Sequence, residues 1–214
     1  MVRMHPLTRA LDFIAPTPCQ ACDRLDSRGW LGLLCLDCSA TLPTTVRRVT
    51  GPASVAETVS MGPYEGALGS IVRAAKYGPN LSAADALGRR LGRALHGWVD
   101  VDAVVAVPIP AWRRWRRGFC QGERLARGVA AATGLPEVSL LRRTAGPAQV
   151  GQRAAARRRL PVSTFLVREV DLPERVLLVD DVRTTGATLH AAARALKRRG
   201  VGHVWAATLC FQGP

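Results

Sequence analysis

Lysine is almost missing from this 214-residue chain: Lys76 and Lys197 stand among 30 basic residues, and arginine supplies the rest. Acidic residues are also scarce, 16 in all, which leaves a formal net charge of +14. No apolar run is long enough for a transmembrane helix. The opening residues Met1 to Ile14 carry Arg3, His5, Arg9 and Asp12, so no cleavable signal peptide and a cytoplasmic location are expected. Internal repeats and long low-complexity tracts are missing too, which excludes solenoid arrays. The arginine surplus suits a polyanionic partner. It equally suits coding bias with solvated guanidinium groups.

Against that background, Val176-Leu177-Leu178-Val179 reads as a central strand of a parallel sheet, covered on both faces. It leads directly into Asp180-Asp181, then Val182-Arg183-Thr184-Thr185-Gly186-Ala187-Thr188. A helical pattern follows from Leu189 to a C-cap at Gly200, and Val201 to Cys210 reads as the next strand of a βαβ unit. Free N–H groups and the helix dipole at such an N-terminus favour an anion, and the three threonine hydroxyls add donors. Gly186 allows close backbone approach. The two carboxylates cannot bind phosphate, but they can accept from ribose hydroxyls or hold Mg²⁺.

This segment resembles the phosphoribosyl pyrophosphate (PRPP) signature of type I phosphoribosyltransferases. The resemblance implies that Asp180 and Asp181 are the catalytic pair, contacting the ribose hydroxyls and magnesium. It also implies that Arg183, Thr184, Thr185, Gly186, Ala187 and Thr188 hold the 5′-phosphate.

At the other end, Cys19-x2-Cys22 and Cys35-x2-Cys38 are separated by twelve residues. Two such knuckles suit a closed, structural, tetrahedral zinc site whose metal supplies folding energy to a segment with little core. Two disulfides are the competing reading, disfavoured by the expected compartment. Cys120 and Cys210 read as small core residues.

Between these ends, Val101 to Val107 reads as a second buried strand, and Pro108-Ile109-Pro110 follows it as a candidate grip for pyrophosphate. Glu65 to Lys76, Ser82 to Trp98 and Glu123 to Ala132 are expected helices. Lys76 is a candidate phosphate ligand or a snorkelling side chain. The stretch Trp112-Arg113-Arg114-Trp115-Arg116-Arg117 interleaves cations with aromatics, as a single-stranded nucleic acid platform requires. The tryptophans, three apart, would also share one helix face and suit burial. Residues 145 to 159 read as a mobile lid or a surface helix, and Thr41 to Ala56 as a linker.

The order of these pieces is similar to the ComF family of bacterial competence proteins. The motifs that carry the resemblance are the double CxxC, Lys76-Tyr77-Gly78, Val107-Pro108-Ile109-Pro110, Arg117-Gly118-Phe119 with Gln121, Gln152 with Arg159 and Phe165, and the Asp180-Asp181 signature. Cys120 stands where the family usually has Asn, and Leu160 lies where it often has another. The resemblance implies an α/β fold, a type I phosphoribosyltransferase-like parallel sheet flanked by helices at 51–214, and a small N-terminal zinc-binding segment at 1–50. It implies binding of PRPP with magnesium and a role in uptake of transforming single-stranded DNA with the uptake machinery. Two alternatives stay open: an active phosphoribosyltransferase joining ribose 5-phosphate to a base or amine, and a non-catalytic PRPP sensor.

Overall fold

The computed structural model describes residues 18–25, 29–77, 81–117, 120–144 and 160–213. The first 17 residues, the 145–159 stretch expected as a lid, and Gly118-Phe119 lie outside that set.

Strands β1 (Arg47–Arg48), β2 (Thr58–Pro63), β3 (Ala103–Ala106), β6 (Arg175–Arg183) and β7 (His203–Phe211) form one sheet in the order β1-β2-β7-β6-β3. Only β1 runs antiparallel; the other four are mutually parallel. A separate antiparallel pair joins β4 (Leu141–Arg143) to β5 (Phe165–Val167). The helices are α1 (Leu36–Ala40), α2 (Gly66–Tyr77), α3 (Leu81–Ala94), α4 (Ala111–Arg117), α5 (Gln121–Thr133) and α6 (Ala187–Arg198).

Because side chains alternate along a strand, the apolar runs serve two cores at once. Val104, Leu177, Val179 and Ala207 face a layer built from Ile71 and Val72 of α2, Leu87 and Leu91 of α3, and Leu125 and Val129 of α5. Val105, Val176, Leu178 and Ala206 face Leu189, Ala192 and Leu196 of α6. This double burial is why the strands read as continuous rather than alternating patterns. At the start of β6, the backbone N–H and guanidinium of Arg175 both donate to Asp102, at 2.9 and 2.7 Å, and tie the strand to the loop before β3. Hydrogen bonds from Arg175 hold the Asp102 carboxyl below its ordinary range.

The expected linker is not a free tether. Its Arg47–Arg48 segment joins the sheet as β1. Arg90 of α3 donates through Nε to the Pro43 carbonyl at 2.7 Å and through Nη2 to the Leu42 carbonyl at 2.6 Å. Cys19, Leu34 and Cys35 are buried in the same core as α2 and α3, so the cysteine segment is seated on the main body.

Candidate functional site

Strand β6 extends beyond its apolar run because Asp180, Val182 and Arg183 still pair with Thr208, Cys210 and Phe211 of β7. The acidic pair therefore sits within the last part of the strand, as the topology of an open α/β sheet favours for ligand-binding groups. Asp180 Oδ1 accepts from the Asp181 N–H at 2.9 Å. Burial, reinforced by the charge of Asp181, pushes the Asp180 carboxyl up to about 7. Asp181 Oδ2 lies 3.2 Å from Lys76 Nζ, on the last turn of α2. Lys76 Nζ also lies 5.4 Å from the centre of the Tyr64 ring, and the Arg73 guanidinium is at the same distance from that ring.

The loop that follows places Thr184 and Thr185 at the surface, with Gly186 as the N-cap of α6 at φ 75°. The Thr185 hydroxyl accepts from the Ala187 N–H at 3.4 Å. Thr188, one residue on, lies within the first turn of α6. Arg183 differs from its neighbours. It is buried, and its Nη1 donates to the Thr184 carbonyl at 3.2 Å, so it braces the loop from beneath. The loop is also buttressed from outside: Pro52 lies next to Gly186, and Ser54 Oγ is 2.9 Å from His190 Nδ1 on α6.

Pro108 follows β3 and adjoins β6, since the Val107 N–H donates to the Val179 carbonyl at 3.0 Å. The Pro110 carbonyl then accepts from the N–H groups of Arg113 and Arg114, which starts α4. The two tryptophans of α4 are not core residues: Trp112 is 58% exposed and Trp115 88%. Arg113 stacks 5.1 Å from the Trp112 ring centre. Arg114 is already engaged, donating to both carboxylate oxygens of Glu123 at 2.7 and 3.1 Å. Arg116 and Arg117 are helical in backbone, and their side chains lie outside the described residues.

Arg143 on β4 is a half-buried cation that the sequence pattern does not single out. Burial lowers its pKa, the charge of Arg113 lowers it further, and the charge of Asp180 raises it. Its guanidinium also stacks 5.4 Å from the Phe165 ring centre. Ser60 and Thr208 are not singled out by it either. The register aligns Ser60, Thr208 and Asp180 in one cross-strand row. Both hydroxyls are fully buried without a hydrogen-bond partner among the described residues.

In the N-terminal segment the four sulfurs of Cys19, Cys22, Cys35 and Cys38 all lie within 4.8 Å of one another, and none is in a disulfide. Cys22 and Cys35 are 3.8 Å apart, which matches the ~3.8 Å edge of a tetrahedron with Zn–S bonds of ~2.3 Å. The donor set thus fits a closed zinc site. At Cys19, burial pushes the thiol up, but backbone N–H groups of Cys35, Ala21 and Cys22 more than offset it and bring it down to about 6. At Cys38 the neighbouring thiols, Cys35 first, push it up to about 12. Burial, reinforced by the charge of Asp181, raises Cys210 to about 12, and burial raises Cys120.

Comparison with known proteins matches residues 148–213 to the phosphoribosyl transferase domain. The DNA utilization protein YhgH of Salmonella typhimurium is 31% identical over 163 residues, covering 71% of this chain and 70% of that protein. Competence protein F of Haemophilus influenzae is 32% identical over 108 residues, which cover 48% of this chain and 47% of its own. The chain belongs to the ComF family. Competence protein ComFC of Streptococcus pneumoniae, at 30% identity, shares 47% of this chain and 44% of its own length. This ComF-family chain thus spans about half of the Haemophilus and Streptococcus relatives. A mixed α/β, phosphoribosyltransferase-like fold with an N-terminal four-cysteine cluster accords with the sequence expectation. Among the described residues, no helix is long and apolar enough to cross a membrane.

Proposed function

We propose that this ComF-family chain binds PRPP, or a closely related sugar phosphate, at the end of β6, and acts in the uptake and processing of transforming single-stranded DNA. The observation that carries the sugar-phosphate reading is the placement of Asp180 and Asp181 directly before a threonine-lined loop that opens α6. The carboxylates are acceptors suited to vicinal ribose hydroxyls. The N–H groups at the start of α6, with Thr184, Thr185 and Thr188, suit the 5′-phosphate. Carboxylate oxygens are also the donors that magnesium prefers; bound with PRPP, the ion would offset charge on the pyrophosphate. Pro108 and its loop follow β3, the strand that pairs with β6, and are the candidate grip for that pyrophosphate.

The DNA reading is supported by two exposed tryptophans with Arg113 on α4, next to the same sheet end. Exposed indoles supply stacking faces for bases, and arginines supply phosphate contacts. The relatives named as competence and DNA utilization proteins point the same way.

A second reading, phosphoribosyl transfer, is favoured by Arg143. A cation on the β4–β5 arm that interacts electrostatically with Asp180 suits a departing pyrophosphate. Pyrophosphate release on mixing PRPP with candidate bases or amines tests it.

Calorimetric titration with PRPP tests the site itself. The Asp180→Asn, Asp181→Asn double variant should lose magnesium-dependent binding while its cysteine segment stays folded. Unchanged affinity would remove the site assignment.

A further inference from the structure

We infer that Lys76 is a built-in counter-cation for the acidic pair, so that a sugar phosphate binds here with little need for a divalent ion at the carboxylates. The inference rests on the sugar-phosphate reading above. It makes α2 part of the ligand site, with Lys76 neutralising Asp181 and keeping its other donors for the ligand.

Two adjacent carboxylates at the end of a buried strand repel each other, and bringing a phosphorylated sugar to them adds further negative charge. A bound divalent ion is one solution. Here the fold supplies another. Lys76 Nζ lies 3.2 Å from Asp181 Oδ2, with side chains only 16% and 20% exposed, so the pair is shielded from much of the screening that weakens surface ion pairs. The ammonium is fixed from a second side by the face of Tyr64, 5.4 Å away. It also sits in the last turn of α2, where the helix carbonyls favour a cation.

The residue type is informative in a chain so rich in arginine. An ammonium is a compact point charge with three donors. One donor directed at Asp181 leaves others for a hydroxyl or phosphoryl oxygen of the ligand. A magnesium ion at Asp181 would have to share that carboxylate with the ammonium beside it.

The test uses ribose 5-phosphate, which carries the sugar hydroxyls and the phosphate but no pyrophosphate to bring its own magnesium. Calorimetric titrations of the full chain are made in EDTA and in saturating magnesium. The unmodified protein should bind with affinities that agree within about threefold, whereas Lys76→Met should weaken about tenfold or more in EDTA and recover most of that loss with magnesium. Lys76→Arg keeps the charge and should stay close to the unmodified protein. Binding by the unmodified protein only when magnesium is present overturns the inference, and it does so even if Lys76→Met fails to fold. Equal magnesium dependence in the unmodified protein and Lys76→Met overturns it as well. If neither ribose 5-phosphate nor PRPP binds the unmodified protein under either condition, the sugar-phosphate reading itself falls. Those outcomes are therefore distinct.

Discussion

Gly88 on α3 faces the carbonyl oxygen of Leu125 on α5 so closely that a Cβ there would lie 2.2 Å from that oxygen. The approach is reciprocal, since a Cβ on Gly128 would lie 2.3 Å from the Asp85 carbonyl oxygen. This crossing brings α5 down onto the sheet, where Gly122 meets the end of β3 at Val107.

Gly88→Ala should therefore destabilise the protein, although alanine is the better helix former. The contact is with backbone, which cannot rotate away, so overpacking of about 2–3 kcal/mol should exceed the ~1 kcal/mol propensity gain. Urea denaturation measures the difference, and an unchanged midpoint would contradict the crossing.

Purified protein should contain one zinc ion per chain, and Cys35→Ser should lose it. Cys35 also caps α1, its sulfur accepting from the Cys38 N–H at 3.4 Å, and it lies in the main core. Loss of metal should thus lower the thermal midpoint of the whole body. Metal analysis with a thermal melt decides this, and a zinc-free, oxidised protein would favour disulfides.

Asp180 should make the ligand-free protein less stable as pH rises. Its carboxyl has the ordinary value of 3.8 when unfolded, and burial pushes it up to about 7 when folded. Between those values the folded chain holds a proton that the unfolded chain has released, so stability falls across that window and the penalty is complete above it. Asp180→Asn should be more stable than the unmodified protein at about pH 8, with the gap closing towards about pH 5. Thermal melts over that range test the sign.

Replacing Trp112 and Trp115 together by alanine should leave stability nearly unchanged, because both are exposed. The same variant should weaken single-stranded DNA binding by about 1–3 kcal/mol for each base that stacks. Arg113→Ala should instead flatten the salt dependence. Fluorescence anisotropy of labelled DNA at several salt concentrations separates the two effects.

Much of the sheet was legible because its central strands are buried on both faces, and continuous apolar runs such as Val176 to Val179 carry that information locally. The cysteine spacing and the Asp-Asp-Val-Arg-Thr-Thr-Gly run were legible for the same reason, each being contiguous chemistry. Element ends were less so. β6 continues to Arg183 because β7 supplies pairing partners, and α3 stops at Ala94, short of the Trp98 expected from its leucine spacing. The fate of the tryptophans depended on where α4 sits: helical spacing gives them a common face, but at the rim of the sheet that face meets no core. Arg143, Tyr64 and the Ser54–His190 contact depend on segments that approach only after folding, and no local pattern announces them.

The parallel pairing of β2 with β7 also bears on how the chain is made. β2 leaves the ribosome long before β7, yet β7 fills the position between β2 and β6. Until then β2, with Val59 and Met61, has no parallel neighbour, and the acidic pair lacks the strand that holds its backbone in register. Such non-local closure is slow and leaves an apolar edge open to wrong partners. Nascent chains of this protein should therefore depend on chaperones until β7 is inserted.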